Sequence, residues 1–216
     1  PTAISGTTFL CNFTNAGIYD ASTKNDMETV GNAQVSSAQA KYGTTSLALD
    51  GTGDYLVSRA TPTNAFGTGD FTVECWFNRS AATAAGGIVG AWTGTTSTSA
   101  WLMTQGNSSS SNLRFGVSDG STATFYEPSS AVISNGTWVH LAVTRASGTL
   151  YMFAGGVLLA SYSNTTNISV SAPLGVGAVT DGSYASNGYI DDVRVTKGYA
   201  RYTANFTPPT AALPVY

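Results

Sequence analysis

Charge is scarce in this sequence: Lys, Arg, Asp and Glu make up 10% of its 216 residues, and the net charge is −3. An average soluble domain carries roughly 25% charged residues, so Ser, Thr, Asn and Gly must supply most of the polar surface. The three lysines, Lys24, Lys41 and Lys197, are scattered. Without a basic cluster there is no electrostatic footprint for nucleic acid or an anionic membrane. No apolar run approaches the roughly 18–20 residues of a membrane span, so membrane insertion is not expected. With 42% hydrophobic residues the chain is also far from the composition of a disordered one.

Reactive side chains are equally few. His140 is the only histidine, no G-x-S-x-G elbow accompanies it, and its place in WVHLAV puts it on one strand face with Trp138 and Ala142, as a structural imidazole. Glycine pairs fall between strands and not before helices, which excludes phosphate cradles. Cys11 and Cys75 sit at apolar phases of predicted strands, as buried free thiols or as a single bridge between neighbours. Neither has the Cys/His surroundings of a zinc site. The chain begins Pro-Thr-Ala, which fits either a clipped initiator Met or a processed fragment. Its first residues lack the basic start and apolar stretch of a secretory signal.

What is present is alternation with a period of two, almost from end to end. Phe9, Cys11 and Phe13 share one face of a first strand. In FTVECWF, Phe71, Val73, Cys75 and Phe77 point one way while Thr72, Glu74 and Trp76 point the other. GGIVGAW, AWLMTQ, LRFGV, PLGVGAV and GYIDDVRV read as further strands. SLALDGTGDYLV predicts a hairpin about Asp50-Gly51-Thr52-Gly53, and residues 138–162 predict a three-strand meander with tight turns at 146–148 and 155–156. In GYIDDVRV, Ile190, Val193 and Val195 cannot share a regular strand face, so a β-bulge is expected at Asp191-Asp192. About a dozen short strands without a linker predict one all-β domain over 1–216, a two-sheet antiparallel β-sandwich.

KYGTTSLALDGTGDYL, FTVECWF, GTWVHLAVTR, GTLYMFAGGVLLAS and GYIDDVRVTKGYARYTANFTPP occur in that order. Together they resemble the laminin-G/pentraxin-type branch of the concanavalin A-like lectin/glucanase superfamily, across residues 9–209. The resemblance implies a jelly roll of two antiparallel sheets with variable loops at the rim. The segment GYARYTANFTPP is similar to endings of stand-alone domains in tailed-bacteriophage and marine-virus surface proteins. From this come the expectations of a free-standing virion surface protein, as capsid decoration or tail-associated domain. It would contact other virion proteins, copies of itself in a homo-oligomer, and host-surface glycans. An extracellular lectin-like module is the alternative.

The family's hydrolases use paired carboxylates, and Glu28, Glu74 and Glu127 show no such spacing; Glu74 is expected to be solvated or Arg-paired, and no catalytic residue is assigned. No cofactor is required by any motif. Many relatives hold Ca²⁺, and the positions that match their ligands are Asp20, Asp191 and Asp192; the alternative is an Asx-turn at Asp20 and backbone N–H partners for Asp191. For glycan contacts, aromatic side chains at strand ends offer a stacking platform and nearby amides and carboxylates bind hydroxyls. Trp92, Trp101, Tyr126 and Tyr184 are the aromatic candidates. Asp181 is the main polar candidate, with Asn107, Asn112 and Asp119 beside it.

Overall fold

The computed structural model describes residues 6–13 and 18–214. In chain order the strands are β1 (Thr7–Cys11), β2 (Glu28–Val30), β3 (Gln34–Ser36), β4 (Ser46–Asp50), β5 (Tyr55–Ala60), β6 (Phe71–Ala81) and β7 (Gly87–Ala91). They continue with β8 (Trp101–Gln105), β9 (Leu113–Ser118), β10 (Ala123–Tyr126), β11 (Trp138–Ala146), β12 (Thr149–Ala154), β13 (Val157–Ser163), β14 (Pro173–Val176) and β15 (Asn187–Lys197). The first sheet runs β13-β12-β11-β6-β15-β4-β3, with β1 also on β15; the second runs β10-β9-β8-β7-β14-β5-β2. Among the described residues every strand pairing is antiparallel except an isolated bridge between Arg79 and Asn135.

The core lies between the sheets and takes one parity from each strand. Phe71, Val73, Cys75 and Phe77 of β6 face Trp101 and Met103 of β8 and Leu113, Phe115 and Val117 of β9, all fully buried. The meander forms as the turns require: Ser147-Gly148 and Gly155-Gly156 each place two successive residues at positive φ, the geometry that matches the twist of paired strands. Cys11 and Cys75 are both buried and free. Burial pushes the Cys11 thiol up to about 12, so it stays protonated and packs as a small apolar group.

The expected hairpin at 50–53 is not formed. β4 pairs with β3 and β15 in the first sheet, while β5 pairs with β14 and β2 in the second. Gly51 and Gly53 have positive φ, but they turn the chain from one sheet to the other. The Asp54 carboxylate fixes that corner, accepting the backbone N–H groups of Asp50 and Asn32 at 3.1 and 2.9 Å.

The bulge at Asp191-Asp192 is present. The register of β15 against β6 slips between Asp191 and Arg194, and Asp192 adopts φ +48°. It falls where β15 changes partner, from β4 over residues 187–190 to β1 over 193–196.

The other face of the first sheet is buried as well, by the C-terminal segment after β15. The Leu158 N–H donates to Asn205 at 2.8 Å and the Phe206 N–H donates to the Gly156 carbonyl at 2.9 Å. Tyr202 and Phe206 stack with ring centroids 3.6 Å apart, beside Phe153 and His140. Gly156 has φ +80°, and a Cβ there would run into the Phe206 carbonyl. Farther along, the Tyr42 hydroxyl donates to the Pro209 carbonyl, and the Leu213 N–H reaches Asp192 at 3.0 Å.

Candidate functional site

Beneath that segment lies an ionic cluster centred on Glu74, which has no solvent exposure. Its Oε1 takes two Arg194 contacts, from Nη2 at 2.6 Å and Nε at 2.8 Å, and lies 3.6 Å from Arg201 Nε. Its Oε2 accepts from the Tyr202 hydroxyl at 2.9 Å and lies 3.3 Å from His140 Nε2. Burial would raise the Glu74 pKa, but the His140 hydrogen bond and the Arg194 charge outweigh it and hold the carboxyl at about 2. Burial and the neighbouring Glu74 charge push the Tyr202 hydroxyl up. No substrate bond can reach this carboxylate, so the arrangement is a structural clamp between β6, β11, β15 and the C-terminal segment.

Asp20, Asp191 and Asp192 do not converge into a calcium site. Asp20 Oδ1 accepts the N–H groups of Leu10 and Ser22, both at 2.9 Å. Its Oδ2 accepts from Ser22 Oγ, Asn25 N and Asn25 Nδ2 at 2.8–3.0 Å. Five donors place partial positive charge where a cation would have to sit, and Ca²⁺ needs six to eight oxygens of its own. Asp191 Oδ2 accepts the N–H groups of Lys41 and Tyr42 at 3.0 and 3.2 Å, and Asp192 accepts from Asn12 and Leu213. Among the described residues no group of three or more His, Cys, Asp or Glu side chains is placed to hold a metal.

The glycan candidates separate into two sets. Trp101 is fully buried, stacks between Phe66 and Phe115, and donates its indole N–H to the Asn64 carbonyl at 2.8 Å. It shares the inward parity of Met103 and belongs to the core. Tyr126 packs against Tyr162 and accepts from Asn164 at 3.1 Å, on the inward side of the second sheet. Asn112 and Asp119 hold turns, Asn112 by donating to Glu127 and Asp119 by accepting the Ser121 and Thr122 N–H groups.

Trp92 and Tyr184 come together on the outer face of the second sheet, around a cleft of about 330 Å³. Its floor is made by outward residues of β8 and β9, namely Leu102, Thr104 and Arg114. Phe125 of β10, 39% exposed, lies 5.4 Å from Trp92 by ring centroids. Gly116 makes that possible, because a Cβ there would run into the Phe125 ring. Arg114 places its guanidinium carbon 3.8 Å from the Phe125 centroid, a cation–π contact. Tyr184 is 56% exposed and held at φ +54°, with its carbonyl accepting the Gly87 N–H at 2.6 Å. A non-glycine residue held there is strained backbone of the kind that gathers at binding sites. Asn107 lines the cleft, and Asp181 stands at its rim beside Gly94.

Thr104 is 1% exposed at this cleft, and its buried hydroxyl has no hydrogen-bond partner among the described residues. A larger opening of about 1120 Å³ lies between the β2 and β3 edges, but no aromatic residue lines it.

Phe125 and Arg114 are the cleft residues that sequence reasoning missed. β10 lies in a Ser/Thr-rich stretch too short to show its period. The signal available was Gly116 within LRFGVS, an outward glycine that leaves a strand face bare for a neighbouring ring.

A comparison with curated proteins finds no match. Among solved structures, the binding domain of Paraclostridial Mosquitocidal Protein 1 superposes with a TM-score of 0.72 at 14% identity, over 91% of this chain and 50% of that one. Domain 4 of AbnA, a GH43 extracellular arabinanase from Geobacillus stearothermophilus solved in complex with arabinotriose, gives 0.67 at 16% identity, over 90% and 93%. The binding domain of botulinum neurotoxin serotype D gives 0.66 at 14% identity, over 90% and 48%. The chain thus spans about half the length of the toxin domains, and at these identities the likeness is one of fold. A family model described as the concanavalin A-like lectin/glucanases superfamily matches residues 50–201. That match covers most of the chain, and the two-sheet sandwich agrees with it: the chain belongs to the concanavalin A-like lectin/glucanases superfamily.

Proposed function

We propose that the chain is a non-catalytic recognition module that binds saccharide in the cleft of the second sheet. The observation that carries this reading is the outer-face cleft in which Trp92, Phe125 and Tyr184 stand around the Arg114 guanidinium. Pyranose rings present an apolar face to aromatic side chains and hydroxyls to buried polar groups, the combination found here. Two of the superposed folds are binding domains, and the arabinanase domain was solved with arabinotriose, which supports a binding role.

Phe125→Ala is expected to weaken saccharide binding by about tenfold or more, the size of a central aromatic contact. The measurement is a glycan array followed by titration calorimetry of the best ligands. An array without any ligand, or ligands whose affinity is unchanged in both Phe125→Ala and Trp92→Ala, would remove the proposal.

The finer setting we infer is the surface of a viral particle, with the module as a decoration or tail-associated domain. The segment GYARYTANFTPP supports this, and so does the sheet-edge strand β13, where Val157 is 56% exposed. Co-sedimentation with assembled particles tests it, and a protein found only free of particles would contradict it.

A further inference from the structure

We propose that the cleft selects acidic saccharides, and that Arg114 is the residue that reads the sugar carboxylate. This inference rests on the saccharide reading of the cleft. Arg114 is the one formally charged residue among those that line it. Its side chain is 19% exposed, and none of its N–H groups makes a hydrogen bond among the described residues. Glu127 Oε2 lies 3.8 Å from its Nε, beyond hydrogen-bond range.

The other partly buried arginines are satisfied. Arg145 donates to the Gly67, Gly69 and Thr166 carbonyls and to Asn164 at 2.7–2.9 Å. Arg79 donates to Asn135 and the Ser110 carbonyl at 2.7 and 2.6 Å, Arg194 to Glu74 at 2.8 Å, and Arg201 to Thr196 at 3.2 Å. Among the partly buried arginines Arg114 alone keeps its fork of donors unused, with its guanidinium carbon 3.8 Å from the Phe125 ring centroid at the side of the cleft.

Two carboxylates stand nearby: Glu127 forms an ion pair with the guanidinium at 3.8 Å, and neither takes a hydrogen bond from it among the described residues. Glu127 turns to the 107–112 loop: Oε2 accepts the Asn107 N–H at 3.0 Å, while Oε1 accepts the Ser108 N–H and Asn112 Nδ2, each at 3.1 Å. Its charge is spread over those donors. Asp181, an exposed rim residue, is engaged by Ser183 through its N–H and hydroxyl at 2.9 and 2.6 Å. A partly desolvated cation with free forked donors is matched by a carboxylate, which accepts two parallel N–H bonds. A neutral sugar offers the fork only uncharged hydroxyl oxygens, without the charge or the paired geometry of a carboxylate.

The test is an array carrying uronate-, sialate- and sulfate-bearing glycans beside neutral ones, with titration of a galacturonate oligosaccharide against its galactose counterpart. The parent is expected to favour the carboxylated sugar about tenfold or more, the worth of a charge-assisted hydrogen bond, with the preference shrinking as salt rises. Arg114→Gln should erase the preference and Arg114→Lys should retain part of it, with thermal melting confirming that both variants fold. Equal parental affinity for acidic and neutral sugars, a preference that survives Arg114→Gln, or binding of sulfated but not carboxylated glycans overturns the proposal while the saccharide reading stands. Absence of any saccharide ligand removes both.

Discussion

Glu74→Gln is expected to lower the unfolding free energy by about 3–5 kcal/mol, because it leaves the buried Arg194 and Arg201 guanidiniums without their counter-charge. An independent route gives a similar size. The Glu74 carboxyl is held at about 2 against an ordinary 4.5, and each pKa unit is worth about 1.4 kcal/mol, so ionised Glu74 contributes about 3 kcal/mol near neutral pH. Tyr202→Phe removes only the 2.9 Å hydroxyl bond to Glu74, and is expected to cost about 1.5–3 kcal/mol. The order of the two variants in urea unfolding checks the role of the cluster. The glutamate ties four arms together, and the tyrosine brings the C-terminal segment to it. A Glu74→Gln protein within 1 kcal/mol of the parent would mean that the segment is held by aromatic stacking alone, through Tyr202, Phe206, Phe153 and His140.

Elements whose structure is decided locally were legible in the sequence. β6 and the β11-β12-β13 meander follow from period-two alternation and from turn residues that accept positive φ. The bulge at Asp191-Asp192 was legible because three apolar residues at 190, 193 and 195 cannot share a regular parity. What failed depends on residues far away in the chain. Gly51 and Gly53 set a sharp turn, but whether β5 returns beside β4 or joins the opposite sheet is decided by β14 and β2. Glu74 faces away from the core and pairs with Arg194, as its strand's alternation and an Arg-paired reading imply, but its full burial comes from the segment more than 120 residues later. At the cleft, Trp92 and Trp101 each follow an alanine in a similar context. Trp101 keeps the inward parity of Met103, whereas Trp92 stands one residue past the inward Ala91. Pattern alone could nominate both tryptophans, and only the pairing of β7, β8 and β9 separates a core ring from a cleft wall.

Acidification from about pH 8 to about pH 5 is expected to stabilise the protein, which reverses the usual behaviour of carboxylates that gain partners on folding. Burial raises Asp191 to about 6 and Asp192 to about 7, more than their backbone N–H partners pull them down. In the unfolded chain both titrate near 3.8. Between that value and about pH 7 the folded protein therefore holds protons that the unfolded chain has released, and the linkage relation makes folding more favourable as pH falls. The stabilisation is complete below the unfolded value and is lost as pH rises through 6 to 7. Glu74 works in the opposite sense: its contribution is present above 4.5 and is lost as pH falls toward 2. The two trends place the stability maximum at about pH 4. At about 1.4 kcal/mol per pKa unit the aspartate pair accounts for about 3 kcal/mol or more, and at roughly 2–4 °C per kcal/mol for a chain of this size the melting midpoint should rise by several degrees between pH 8 and pH 5. Replacing both residues, Asp191→Asn with Asp192→Asn, should flatten that slope whatever it does to stability at any single pH. The cause lies in the fold: β15 exchanges β4 for β1 at these two residues, so the bulge turns adjacent carboxylates into the protein, where Lys41, Tyr42, Asn12 and Leu213 give them hydrogen bonds. None of those four bonds supplies a counter-charge from a side chain, and Asp191 adds its own repulsion to Asp192. A midpoint that is level or falls from pH 8 to pH 5 would show that the pair is ionised in the folded protein at neutral pH and compensated by a charge outside this set of contacts.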